Sequence, residues 1–239
     1  MLESAADQVR RLEGRLGLAA EAYGELAASL SRTRRSRAAG FASALEEELA
    51  ELAMERARFE VRFEPPDSTD DDWTARGIDQ AQFFVSPNPG EELRPLARIA
   101  SGGELSRMML ALKTLASTDS PGKTLIFDEV DAGIGGRVAD VVGQRLQSLG
   151  REFQVLCITH LPQIAAAGGS HYRVAKFVRQ GRTVTAIEHL GDEARIDELA
   201  RMMAGVVVTD GARSAAREMI AARRGESEHR TKGERRKRK

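Results

Sequence analysis

Leu2, Ala5, Val9, Leu12, Leu16, Ala19, Tyr23, Leu26 and Leu30 recur at alternating steps of three and four. That is the a/d seam of a coiled coil, an apolar stripe that a helix buries only against another helix. The register fails at Thr33 and Arg37, in the basic stretch Ser31–Arg37, and an apolar stripe returns through Phe41, Leu45, Leu49 and Leu52. A single helix or a broken pair accommodates both parts. Unbroken to about Arg58, such an arm is of order 85 Å long at about 1.5 Å rise per residue, and a partner of similar length must pack against it. Gly14, Gly17 and Gly24 speak for the alternative, an ordinary bundle helix, because glycine lowers helix propensity. The expectation for residues 1–58 is a coiled-coil return arm with a head-proximal helix.

Beyond the arm the pattern changes period. Phe59–Glu64 alternates apolar and polar residues as a half-buried strand, Pro65-Pro66 ends it before an acidic turn, Asp67–Asp72, and a second strand covers about Ala81–Val85. From Arg98 strands and helices alternate: helix Leu105–Leu115, strand Thr124–Phe127, helix Gly136–Leu149, strand Gln154–Ile158 and a helix after Pro162. This is the mark of an α/β fold with a parallel sheet. A hairpin, Tyr172–Val178 with Thr183–His189, and two amphipathic helices, Glu193–Ala204 and Thr209–Arg223, complete a head over 59–224. Residues 225–239 have almost no apolar side chains and are expected to be disordered. Their basic run, Arg230, Lys232 and Arg235–Lys239, is either a solvated end or a contact to duplex DNA.

Composition excludes some classes. A chain of 239 residues with 41% apolar content is long enough for a well-buried domain plus an accessory element. Lys plus Arg and Asp plus Glu are equal at 36 each, so no global field advertises a nucleic acid. The single cysteine, Cys157, sits in an apolar run and reads as a buried thiol. No signal-peptide core and no span of about 20 apolar residues is present, so a cytoplasmic protein without membrane contact is expected.

The chemistry is carried by three short stretches. Thr124–Phe127 delivers Asp128 and Glu129 at the C-terminal edge of a strand, where open α/β sheets bind their ligands. In nucleotide hydrolysis the first acid holds magnesium and the second orients and deprotonates water; the competing reading is that the pair only caps the next helix. Asp131 follows, then Gly133, Gly135 and Gly136, a turn able to approach a neighbouring subunit. Ser101-Gly102-Gly103-Glu104-Leu105 opens a helix whose apolar face runs Leu105, Met108, Met109, Leu112, Leu115. A hydroxyl, bare amides and a helix N-terminus form an anion site there, with a plain N-cap as the alternative. His160 follows the strand Gln154–Ile158, as Asp128 follows its own. Adjacent strand ends would let it sense a terminal phosphate.

This order resembles the C-terminal half of an ABC-type ATPase head. Ser101–Leu105 looks like the signature motif, Thr124–Glu129 like Walker B, Asp131–Gly136 like the D-loop and His160 like the switch histidine. The wording of Pro95–Arg107, Ile126–Ile134 and Thr159–Ala165 is similar to the RecN family, within the structural-maintenance-of-chromosomes (SMC) group, rather than to a transporter. The resemblance runs from the arm to about Arg224. It implies the C-terminal lobe of a P-loop head, preceded by a long coiled-coil helix, in a bacterial, nucleoid-associated protein of recombinational double-strand-break repair. ATP and Mg2+ are the implied cofactors. Glu129 and His160 would be catalytic, Asp128 the metal ligand, and Ser101, Gly102, Gly103, Glu104 and Asp131 nucleotide-binding, with Asp131 crossing to a second head. No Gly-x-x-x-x-Gly-Lys-Ser/Thr loop occurs, since Ser117 stands where Gly122-Lys123-Thr124 would need the first glycine. The implied partners are therefore an N-terminal half carrying that Walker A loop, a second ATP-bound head, DNA and recombination proteins, and the chain alone should be inactive. The rivals are another SMC-type or ABC ATPase, and a non-enzymatic coiled-coil or DNA-tethering fragment.

Overall fold

The computed structural model describes residues 5–64, 73–116, 122–179, 181–205 and 207–237, with side chains as far as Arg223. Leu2 of the seam and the Pro65–Asp72 turn lie outside the described residues. The chain forms two compact units, Met1–Glu47 with Arg56–Ile99, and Glu48–Glu55 with Ala100–Lys239.

The arm is one helix. α1 runs unbroken over 47 residues, Ala5–Glu51, about 70 Å at the usual rise per residue, so the basic stretch that interrupts the seam does not interrupt the backbone. In the first unit the seam faces solvent: Val9, Leu12, Leu16 and Leu26 are all more than half exposed. Strands β1 (Arg58–Glu64), β2 (Gln80–Ser86) and β3 (Arg94–Pro95) form an antiparallel sheet in that order, with Val61 opposite Phe83. Their alternating aromatics meet α1, where Phe41, Phe59 and Phe83 cluster with ring centroids 5.3 to 6.1 Å apart. The Glu46 carboxylate accepts the Phe59 amide at 2.8 Å. Asp79 fixes the strand entry by accepting from Ser31 Oγ at 2.7 Å and from Arg34 at 3.2 Å.

The second unit carries the α/β pattern. α2 (Gly102–Leu115) precedes β4 (Thr124–Phe127), and α3 (Gly136–Leu149) returns the chain to β5 (Gln154–Cys157), which pairs parallel with β4. α4 (Pro162–Ala167), the hairpin β6 (Tyr172–Arg179) and β7 (Arg182–His189), α5 (Asp192–Ala204) and α6 (Asp210–Lys237) follow. Met108, Leu110, Phe127, Val130, Val142 and Leu146 are buried, and Ala166, Ile196, Leu199, Ala200, Ala216 and Ile220 form a cluster between α4, α5 and α6. Each large aliphatic side chain so buried contributes about 1.5–3 kcal/mol. The last turn of α1 belongs to this unit, where Glu48 pairs with Arg145 of α3 at 3.1 Å.

Two expectations fail here. α2 buries Gly103, Arg107, Met108, Leu110 and Ala111, while Met109 and Leu115 are exposed. The run Met108–Leu112 is apolar all round, so periodicity could not choose the face. The end of the last helix differs as well: α6 continues to Lys237, beyond the expected end at Arg223. A scarcity of apolar residues removes a reason to pack, but Arg, Lys and Glu are good helix formers.

One face of the parallel pair is open. Ile126 is 68% exposed, Leu156 47% and Ile158 62%, although all-apolar parallel strands are normally covered on both faces. Both strands of the β6–β7 hairpin are exposed throughout. Among the described residues no helix is long and apolar enough to cross a membrane.

Candidate functional site

Parallel pairing of β4 and β5 sets the site. Phe127 lies opposite Cys157, and the Ile158 amide donates to the Phe127 carbonyl at 3.0 Å, so the two strands end side by side. Asp128 and Glu129 leave one strand at the edge where Thr159 and His160 leave the other. Asp128, Glu129 and His160 are all exposed. The Glu129 amide donates to Asp128 Oδ1 at 3.0 Å. Glu129 adopts φ 55°, a left-handed conformation that a residue with a Cβ rarely takes and that marks a constrained position.

The start of α2 lies close against this residue. Ser101 is the N-cap of the helix, and its hydroxyl accepts the Glu104 amide at 3.4 Å. A Cβ on Gly102 would overlap the Glu129 carboxylate, and one on Gly103 would sit 2.8 Å from Ala132 Cβ and 3.2 Å from the Glu129 carbonyl. The double glycine is therefore needed for this close approach to the acid loop, besides any use of its bare amides. Two further side chains bind the same loop. Ser106 Oγ donates to the Asp128 carbonyl at 2.5 Å, and Arg107, buried, donates to the Ala132 carbonyl at 2.8 Å. Sequence reasoning assigned neither a role. The available signal was an arginine inside an otherwise apolar helical run.

Asp131 is turned inward, whereas the sequence reading had it cross to a second head. It is 4% exposed. Its Oδ2 accepts from Thr159 Oγ1 at 2.6 Å and from the His160 amide at 2.8 Å, and it lies 2.9 Å from His160 Nδ1. Burial pushes its pKa up, but the bonds from Thr159 and His160 outweigh that and hold the carboxyl below its ordinary value. Cys157, half-buried beneath this loop, has its thiol pushed up to about 12 by burial and by the negative charges of Asp131 and Asp128. It is the unreactive thiol its apolar run implied.

Among the described residues no three His, Cys, Asp or Glu side chains converge on a metal position. One exposed carboxylate, Asp128, fits magnesium, which is usually held by one or two carboxylates together with the substrate's phosphates. A helix N-terminus, a cation-compatible acid, a second acid and an imidazole thus share one edge, a donor set suited to phosphate chemistry.

No protein-family model matches the chain. Curated DNA repair RecN proteins do. The chain is 39% identical over 219 residues to that of Halalkalibacterium halodurans, 38% over 205 to that of Bacillus subtilis and 43% over 208 to that of Treponema pallidum. These alignments cover 90%, 81% and 83% of the chain. The chain spans only 36–38% of the length of those relatives. Solved SMC heads also align, including one from Pyrococcus furiosus with an extended coiled coil, at 16% identity and TM-score 0.46 over 74% of this chain and 40% of that one.

Proposed function

This chain is a RecN-like segment, and we propose that it supplies the signature and Walker B half of an ATP-hydrolysing head in an SMC-like DNA repair protein that acts on double-strand breaks. One observation carries the proposal. The Ser101 turn, the Asp128-Glu129 pair and His160 share one strand edge, with the turn packed directly against the loop that carries the acids. The open face of β4 and β5 supports a longer protein, whose N-terminal half carries the Walker A loop and the outgoing arm. The solvent-facing seam of α1 is the complementary surface for that arm.

In this reading Asp128 binds the hydrated Mg2+ of the nucleotide held by its own head. Asp128 would thereby place the positive charge that phosphate chemistry calls for. Glu129 orients the attacking water and takes its proton, and the left-handed backbone at Glu129 with the Gly102 contact fixes where its carboxylate stands. His160 meets the terminal phosphate region from the neighbouring strand. Ser101, Gly102 and Gly103 present the N-terminus of α2 to the nucleotide of a second head, with Glu104 in its first turn, so hydrolysis requires two ATP-bound heads. The product is a repair ATPase whose heads close on ATP and whose arms and basic α6 terminus act on DNA, alongside recombination proteins.

The test is Glu129→Gln in the complete protein. Gln keeps the shape and hydrogen bonding but cannot accept a proton near neutral pH. Turnover should fall about 10²- to 10⁴-fold, the usual worth of a general base, while ATP-bound dimers accumulate. Turnover within a few-fold of wild type removes Glu129 from that role.

A further inference from the structure

We infer that Asp131 is a positioning residue for His160 of its own chain, holding the imidazole in one orientation and tautomer, and is not a contact to a second head. This rests on the reading of His160 as a residue of an ATPase site. The geometry gives the carboxylate no freedom to reach outward. Its Oδ2 accepts from Thr159 Oγ1 and the His160 amide at 2.6 and 2.8 Å and lies 2.9 Å from His160 Nδ1. The loop that carries it is clamped at both ends, by Ser106 on the Asp128 carbonyl and by Arg107 on the Ala132 carbonyl. Swinging the Asp131 side chain out would strand the part-buried Thr159 hydroxyl and His160 amide.

The imidazole is the opposite case. The His160 side chain is 73% exposed, so no packing fixes its ring, and the contact to Asp131 supplies the orientation that burial does not. An ionised carboxylate has no proton to give, so beside it the proton of the neutral ring belongs on Nδ1. Nε2 is then the nitrogen left for a ligand, its direction set by the rigid β4 and β5 ends. A histidine held by a carboxylate in this way works in one tautomer, and the amide analogue of the acid favours the other. Thr159 serves as the brace. Its hydroxyl bonds Asp131 and also accepts the Leu161 amide at 3.0 Å.

The experiment is a double-variant cycle in the complete protein, reading kcat and KM for ATP separately. Asp131→Asn should lower kcat about 10- to 100-fold, the usual effect of losing a histidine's outer partner, with KM nearly unchanged. His160→Ala should cost at least as much, and adding Asp131→Asn to it should cost nothing more. Thr159→Val, which removes one of the bonds that hold Asp131, should lower kcat in the same direction but less than Asp131→Asn. Multiplying losses in the double variant overturn the inference. So does wild-type turnover in His160→Ala, which leaves the ATPase assignment standing, whereas a wild-type protein without turnover removes both. Should Asp131→Asn not fold, nitrogen-labelled histidine spectra of the wild-type protein decide the matter: the neutral His160 ring should carry its proton on Nδ1, and a proton on Nε2 overturns the inference.

Discussion

Replacing Gly103 by alanine tests whether α2 is seated on the acid loop. The new Cβ would lie 2.8 Å from Ala132 Cβ and 3.2 Å from the Glu129 carbonyl oxygen. Carbon atoms rest about 3.5–4.0 Å apart, so a gap of about 1 Å must open. Ala132 cannot yield freely, since Arg107 holds its carbonyl and its amide donates to Glu129 at 3.0 Å. Overpacking of this kind costs about 1–3 kcal/mol, offset by up to about 1 kcal/mol from alanine's higher helix propensity. A net loss of about 1 kcal/mol lowers the melting temperature of a chain this size by about 2–4 °C. The control is Gly40→Ala, also helical but with nothing within 4 Å of the added carbon, which should be stabilising by up to about 1 kcal/mol. Thermal unfolding followed by circular dichroism compares the two. Equal stabilisation by both substitutions would refute the packing of α2 on residues 129–132.

Three further outcomes are expected. Cys157, its thiol pushed up to about 12, should react with iodoacetamide at pH 8 on the order of a thousandfold more slowly than a free cysteine, and unfolding in urea should abolish the difference. Asp131 has its folded pKa held below the unfolded value, so its contribution to stability is present above the unfolded pKa and is lost as pH falls through the folded one. Asp131→Asn should therefore destabilise at neutral pH and flatten the loss of stability between about pH 5 and 2, as read from urea midpoints at each pH. Arg195, buried, donates to the Ala165, Ala166 and Gly168 carbonyls at the end of α4; Arg195→Met should cost about 2–4 kcal/mol by stranding them, and a change below 0.5 kcal/mol on this order-of-magnitude scale would remove that role.

Most element identities were legible because their periods are unambiguous: β1 alternates apolar and polar residues, and β4, β5 and the β6–β7 hairpin fall within a residue or two of their expected bounds. The side-by-side ends of β4 and β5, and hence the grouping of Asp128, Glu129 and His160, followed from two apolar strands each ending in a chemically active residue. The contacts that tune the site were not legible. Arg107 lies in a run apolar on every side, so nothing in the pattern marked its face as the buried one. The resemblance alone implied that Asp131 crosses to a second head, and its contacts with Thr159 and His160 depend on the side-by-side strand ends, which no pattern in the loop signals. The glycines at 102 and 103 were expected for their amides, whereas the space they leave to Glu129 and Ala132 depends on tertiary packing.

If this segment carries one half of a divided nucleotide site, nucleotide binding by the chain alone, before and after mixing with the other half, must reflect it. Without a loop of amides and a lysine to cradle the β- and γ-phosphates, the chain by itself should bind ATP at best in the millimolar range, about 4 kcal/mol on the 1 M scale, and show no turnover above background. Adding the Walker A half with its outgoing arm, which the α1 seam and the open face of β4 and β5 are suited to receive, should bring tight binding and turnover, and Ser101→Arg should then abolish the turnover while sparing binding. Micromolar ATP affinity or sustained hydrolysis by the chain on its own would contradict the claim.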